Sequence, residues 1–193
     1  MAADGGACII CLDTSPPPIQ SGCACRGDSG LAHIACLVLA AASQQAQRGN
    51  GVWQQCQTCK QYYTGAMQTG LAEAWWSRVA GQVAQSDERL DAEKYLASSL
   101  LHQGKAAEAE PMLRRLHEVR MRVLGAEHLV TLSVANNLAM SLSIQDKHAD
   151  AERIQREVLG VRKRVLGAEH PDTLRSAGNL GHVLLKARQI HRG

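Results

Sequence analysis

Seven cysteines and one histidine stand in a fixed order within the first 60 residues. Cys8 and Cys11 form a Cys-x2-Cys pair, and Cys23 and Cys25 a Cys-x-Cys pair. His33 and Cys36 form a His-x2-Cys pair, and Cys56 and Cys59 close the series as a second Cys-x2-Cys. Residues 61–193 hold no cysteine. A segment of about 60 residues buries only a modest core and usually needs a metal or disulfides to fold. The odd cysteine count argues against a closed disulfide framework. Eight donors are enough for two tetrahedral zinc sites. A Cys-x2-Cys turn sets two sulfurs on one side of a tight knuckle, each about 2.3 Å from a bound metal. The binding free energy of such an ion then becomes folding free energy.

The compartment follows from the same residues. The stretch "MAADGGACIICLD" has no basic region ahead of an apolar run, so no secretory leader is expected. The longest apolar run is "LAHIACLVLAAA", short of the ~20 residues of a membrane helix. A cytoplasmic, reducing setting is therefore expected, where clustered thiols favour metal over disulfide. The formal charge of +3 is small and dispersed, and predicts no nucleic-acid partner and no membrane span.

Order and spacing across residues 8 to 59 resemble the RING variant called RING-CH, which has cysteine as fourth ligand and histidine as fifth. The resemblance rests on Cys-x-Cys followed after seven residues by His-x2-Cys, with the polar filler "RGDSG" near its middle. PHD fingers use the same ligand types, but with two residues between the third and fourth ligands and a shorter gap to histidine. Trp53 lies one residue further from Cys56 than the PHD tryptophan would. A chromatin-reading finger would also need an aromatic cage, and Trp53 is the only aromatic between Cys8 and Cys59.

The resemblance implies a cross-brace of two structural zinc ions. Cys8, Cys11, His33 and Cys36 would hold one, and Cys23, Cys25, Cys56 and Cys59 the other. The segment shared by both sites must turn sharply, and Gly27 and Gly30 are expected to permit this by adopting positive φ. His33 would bind through one neutral ring nitrogen, leaving the other in need of an acceptor.

The resemblance further implies recruitment of a ubiquitin-conjugating enzyme, with catalysis by positioning and no nucleophile in the chain itself. The family's docking face combines a hydrophobic residue before the second ligand, an aromatic after the sixth, a proline after the seventh and a basic residue after the eighth. Ile10 and Lys60 match the first and last. Ala40 stands where the family usually has tryptophan, and Gln57 where it has proline. Aromatic anchors of such interfaces often carry about 2 kcal/mol or more each. Ile10 is either a docking residue or core. Trp53 either supplies the missing ring from another direction or packs over the second metal site. A ubiquitin-protein ligase and a non-enzymatic zinc-binding adaptor both remain open.

The rest of the chain repeats with a period of 42. "RVLGAEH" occurs at 122–128 and again at 164–170, and "QGKAAEAE" at 103–110 returns as "QDKHADAE" at 145–152. Leu90, Leu132 and Leu174 align, as do Leu96, Leu138 and Leu180, and Leu100, Leu142 and Leu184. Their spacing within a unit suits one buried helical face. Ala97, Ala139 and Gly181 on first helices, and Ala107, Ala109, Ala149 and Ala151 on second helices, would allow close approach. The motifs "LGAEHPDTL", "NNLA" and "QGKAAEAE" resemble the 42-residue tetratricopeptide repeats of kinesin light chains, over about residues 87 to 190. That resemblance implies a solenoid binding a partner protein or peptide along the first helices. Asn137 and Asn179 would either bond such a ligand or act as helix-packing amides. His128 and His170 read as structural loop residues. Glu108, Glu110, Arg114 and Arg115 read as a solvated, ion-paired face.

The expected architecture is a small zinc-stabilised α+β cross-brace finger (1–62), a connecting helix (63–86) and an all-α helical-repeat solenoid (87–193). The solenoid units are 87–128, 129–170 and a partial 171–193. The connecting helix, with Leu71, Trp75, Val79 and Val83 on one side, is expected to cap the first repeat, unless "AWW" is an exposed partner site. The last first-helix has no second helix after it, so either the chain is a fragment or another chain covers that face.

Overall fold

The computed structural model describes residues 6–25 and 27–190. Arg26, inside the polar filler, lies outside them. The chain divides into two compact units, residues 1–99 and 100–193.

In the first unit, β1 (Ile19–Gln20) and β2 (Leu31–Ala32) pair antiparallel, Ile19 opposite Ala32 and Gln20 opposite Leu31. A 3-10 turn, Gly27–Gly30, brings the chain back to β2. Gly30 does not take positive φ, contrary to expectation. Its need for glycine is steric: a Cβ there would stand 2.7 Å from the Cys25 carbonyl and 2.7 Å from Gln20 Oε1. α1 (Ile34–Arg48) follows and stops at Gly49, whose φ of 72° is cheap only without a side chain. A second 3-10 turn, Asn50–Trp53, leads to the last cysteine pair. Then come α2 (Gly65–Val79) and α3 (Asp87–His102).

α2 is part of the first unit's core. Met67, Leu71, Trp75 and Val79 recur every fourth residue on one helix face, and all four are fully buried with Cys8 and Trp53. Trp75 stacks on Trp53, ring centroids 5.7 Å apart and planes 2° from parallel. The Trp53 indole N–H donates to Gln45 Oε1 at 3.0 Å. Trp53 is thus a packed core residue and does not replace the absent docking ring. Trp75 is equally inaccessible to a partner. Trp76 is half-buried, with the Arg89 guanidinium 5.5 Å from its ring. Val83 departs from the expected helix: α2 has ended by Ala80, ahead of Gly81, and Val83 is 76% exposed.

The second unit contains α4 (Ala106–Leu124), α5 (Leu129–Ile144), α6 (His148–Leu166) and α7 (Pro171–Ile190). The repeated "RVLGAEH" is explained by its turn. Gly125 and Gly167 end α4 and α6 with φ of 86° and 92°. His128 and His170 then cap the next helices, each Nδ1 accepting a backbone N–H, from Val130 at 3.2 Å and Asp172 at 3.1 Å. Leu132 and Ala135 of α5 pack with Val158, Ile154 and Val161 of α6. On its other side α5 is tied to α4: Ser141 Oγ donates to the Ala106 carbonyl at 2.9 Å and Thr131 Oγ1 to the Arg120 carbonyl at 3.3 Å.

Two packing expectations need correction. Ala109 and Ala151 are fully buried, but Ala107 and Ala149 face solvent, because two residues along a helix turn the side chain through about 200°. Leu132 is buried, but its equivalent Leu174 is 58% exposed, since among the described residues no helix follows α7 to cover it. Leu180 and Leu184 are only half-buried for the same reason. No helix among the described residues is long and apolar enough to cross a membrane.

Candidate functional site

Two knuckles of the first unit share one backbone design. In the first, Leu12 N–H donates to the Cys8 carbonyl at 2.8 Å and Cys8 N–H to Asp13 at 2.9 Å. In the second, Lys60 N–H donates to the Cys56 carbonyl at 2.9 Å and Cys56 N–H to Gln61 at 2.9 Å. Leu12 and Lys60 both sit left-handed, φ 62° and 60°, each one residue past the second cysteine of its knuckle.

The folding of "CACRGDSGLAHIAC" between these knuckles sorts the eight donors into two interleaved quartets. Cys8, Cys11, His33 and Cys36 form one, and Cys23, Cys25, Cys56 and Cys59 the other. Within each, the donor atoms all lie within 4.8 Å of one another. Ligands at about 2.3 Å in a tetrahedron stand about 3.8 Å apart. Cys25 Sγ is 3.8 Å from Cys56 Sγ, and His33 Nδ1 is 3.3 Å from Cys11 Sγ and 3.7 Å from Cys36 Sγ. Either quartet can hold a metal ion at those spacings.

The outer contacts fix the donors. His33 Nε2 lies 2.5 Å from the Pro16 carbonyl, so the ring N–H points there and Nδ1 faces the sulfurs. The acceptor is a backbone carbonyl, which no side-chain pattern in the sequence marks. Ser21 Oγ stands 3.1 Å from Cys23 Sγ, and the His33 N–H donates to Cys8 Sγ at 3.4 Å.

Electrostatics separate the thiols. Burial pushes Cys8 up, but backbone N–H groups of Cys11, His33 and Ile10 outweigh it and bring the thiol down to about 6. The Gln61 backbone holds Cys59 down to about 6, against its burial. Cys36 is pushed up to about 11 by burial and by the neighbouring Cys11 and Cys8. Cys25 is pushed up to about 12, first by Cys23 and then by burial. Three thiolates in one quartet and four in the other repel one another at this distance; a cation at the centre of each would remove that repulsion and let every thiol ionise.

The predicted docking residues divide. Ile10, Ala40 and Gln57 line one cleft of about 170 Å³, together with Ile9, Leu37 and Tyr63. Ile10 is 43% exposed, so it is not core. Arg48 Nη1 donates to Gln57 Oε1 at 3.4 Å at the cleft's edge. Lys60 is exposed on the second knuckle and is not part of that lining. In the second unit, Asn179 lines a cavity of about 190 Å³ with Met140, Ile144, Gln155 and Val183. Its amide also donates to Asn136 Oδ1 at 2.9 Å, so it braces α5 against α7 as well as facing the cavity. Asn137 is half-buried and outside that lining. Gln155 and Ser143 line the same cavity, and Gln155 Oε1 and Ser143 Oγ are buried without a partner. Nothing in their sequence marked them, since both read as ordinary helix positions.

Stacked helical hairpins capped at a 42-residue period define the second unit as a helical-repeat protein. Residues 95–129 and 131–172 match the tetratricopeptide repeat family model. The fold is similar to the nearly identical TPR-like repeats of a Podosopora anserina protein described as a kinesin light chain, at 16% identity and TM-score 0.56, covering 82% of this chain and 69% of that one. A single-substitution variant of that protein gives the same identity and TM-score over 82% and 68%. No curated protein sequence is matched. The chain carries tetratricopeptide-type repeats, a fold used for protein–protein interaction.

Proposed function

We propose that the first unit is a RING-CH-like finger binding two structural zinc ions, and that the protein is a ubiquitin-protein ligase or ligase subunit. The finger recruits a ubiquitin-conjugating enzyme, and the repeats hold the substrate or a partner protein in a reducing, cytoplasmic setting. One observation carries the reading: the quartets interleave, and a single cleft spans the first knuckle (Ile10), α1 (Ala40) and the second knuckle (Gln57). Zinc suits the donor set because thiolates and a neutral imidazole are its preferred ligands at these spacings. When bound, it supplies rigidity and charge balance, and all four positions of each site are taken by protein. The finger then contributes by holding its partner in place.

Ala40 favours a second reading. Without a ring at that position the cleft offers less contact, which suits an adaptor that scaffolds proteins without promoting transfer. Self-ubiquitination of the zinc-loaded protein, tried with a panel of conjugating enzymes, separates the two. Chains that disappear in Ile10→Ala and weaken in Lys60→Ala establish the ligase. No chains with any enzyme, from protein holding both ions, leaves the adaptor.

A further inference from the structure

The repeats differ at one place where their period leads one to expect sameness. Leu101 and Leu113 are both buried. One period later, Ser143 and Gln155 stand at the same positions. They are as buried as the leucines, 4% and 1% exposed. The exchange puts two hydrogen-bonding side chains where apolar ones suffice. Gln155 Nε2 donates to the Asn136 carbonyl at 3.5 Å, which leaves Oε1 a buried acceptor with no protein partner. Ser143 Oγ is likewise buried and has none. Such groups cost free energy, and leucines would have avoided that cost. Packing does not require them, as the earlier repeat shows.

Both residues belong to the wall of the cavity of about 190 Å³ between α5, α6 and α7. A single water needs only about 10–15 Å³ of such space, so there is room for a side chain. Met140, Ile144 and Val183 give the cavity apolar sides, and Asn179, His182 and Lys186 complete it. The α7 residues lie on the side of that helix turned toward α5, where Asn179 bonds Asn136. No carboxylate is among the lining residues.

The unpartnered atoms define the guest. It must donate a proton to Gln155 Oε1, and the Ser143 hydroxyl can donate to it in return. A carboxamide carries both functions in one planar group. A carboxylate has no proton for Oε1, and Lys186 opposes a cation. The methylenes of a glutamine would lie against the apolar sides. Both oxygens are screened from water, so the guest meets them by rotation of the Ser143 and Gln155 side chains.

We propose that this cavity is a specificity pocket for a carboxamide side chain of a partner segment, glutamine above all, read by Gln155 and Ser143. This rests on the repeats being a partner-binding array.

Selection from a random peptide library on the reduced, zinc-loaded full chain tests it. Enriched peptides should share glutamine or asparagine at one position. Replacing that residue by leucine or glutamate in a synthetic copy should weaken binding at least about tenfold. Ser143→Leu combined with Gln155→Leu restores the side chains of the earlier repeat, and selection on this variant should turn the same position aliphatic. Gln155→Met, nearly unchanged in length, should lose the amide preference while circular dichroism stays unchanged. Enriched peptides without a shared carboxamide, a preference for glutamate, or a motif unmoved by these variants would overturn the proposal and leave partner binding standing. No enrichment at all would count against both.

Discussion

Trp53 and Trp75 stack face to face, 5.7 Å between centroids, and so lock the segment before the last cysteine pair onto a helix that begins six residues after Cys59. A fully buried tryptophan removes roughly 150–250 Å² from water, worth about 4–6 kcal/mol of transfer free energy. The finger is therefore incomplete without α2. A 1–62 peptide should bind metal yet lack fixed tertiary structure, while residues 1–99 should fold. Trp75→Ala should cost about 3–5 kcal/mol. Near-ultraviolet circular dichroism and denaturant titration read both outcomes, and a well-ordered 1–62 peptide would count against the stack's importance.

Metal removal should unfold the first unit and spare the second. Elemental analysis of the intact protein should give two zinc ions per chain, falling to one in Cys8→Ser and in Cys56→Ser, because each replacement breaks a different quartet. A strong chelator should abolish the tryptophan near-ultraviolet signal while most helical signal, from α4 to α7, persists. Loss of both ions in either single variant would mean that the sites are not separable.

The histidine caps offer a paired measurement. His128→Ala and His170→Ala should each destabilise the repeats by about 1 kcal/mol, since each leaves a helix N-terminal N–H without its acceptor. Asparagine at either position should recover most of the loss. Thermal melts of residues 100–193 would show it, and equal stability of Ala and Asn variants would contradict a capping role.

Glu110 should make the repeats acid-sensitive. Lys147, 2.7 Å away, holds its carboxyl down to about 2 against burial, with help from Arg114 and Gln145. A depressed carboxylate contributes stability that is complete above its ordinary value of 4.5 and disappears as pH falls toward 2. Lys147 is half-exposed, which screens the pair, so Glu110→Gln should cost only about 1 kcal/mol at neutral pH. Urea titrations at pH 7 and pH 3 should differ less in the variant than in the parent.

Leu12 is the reverse case. Its left-handed backbone is costly for a branched side chain, by about 1–2 kcal/mol. Its side chain is almost fully exposed, so little packing offsets that cost. Leu12→Gly should raise the stability of the metal-loaded finger by about 1 kcal/mol. If the same change weakens capture of a partner protein, Leu12 belongs to the docking surface beside Ile9 and Ile10.

The sequence was most readable where one local rule acts alone. Ligand spacing announced two knuckles, and the 42-residue period announced the hairpins, because both depend on neighbours along the chain. It was least readable where a residue's partner is distant. The stripe Met67, Leu71, Trp75, Val79 shows that α2 has an apolar face but not which unit receives it. The acceptor for His33 is a backbone carbonyl, and every residue has one. Gly30 was correctly marked as special for the wrong reason, since composition cannot separate unusual φ from crowding. The exposure of Leu174 was hidden because its identity matches two buried twins, and only a missing neighbour distinguishes it.

Interleaving the two quartets has a temporal side. As the chain leaves the ribosome, Cys36 completes the first quartet while Cys56 and Cys59 are still unmade. Cys23 and Cys25 then wait with open valences beside a site that wants four donors and has six within reach. If the quartets bind metal as proposed, vectorial synthesis would offer the first its four donors before the second is complete.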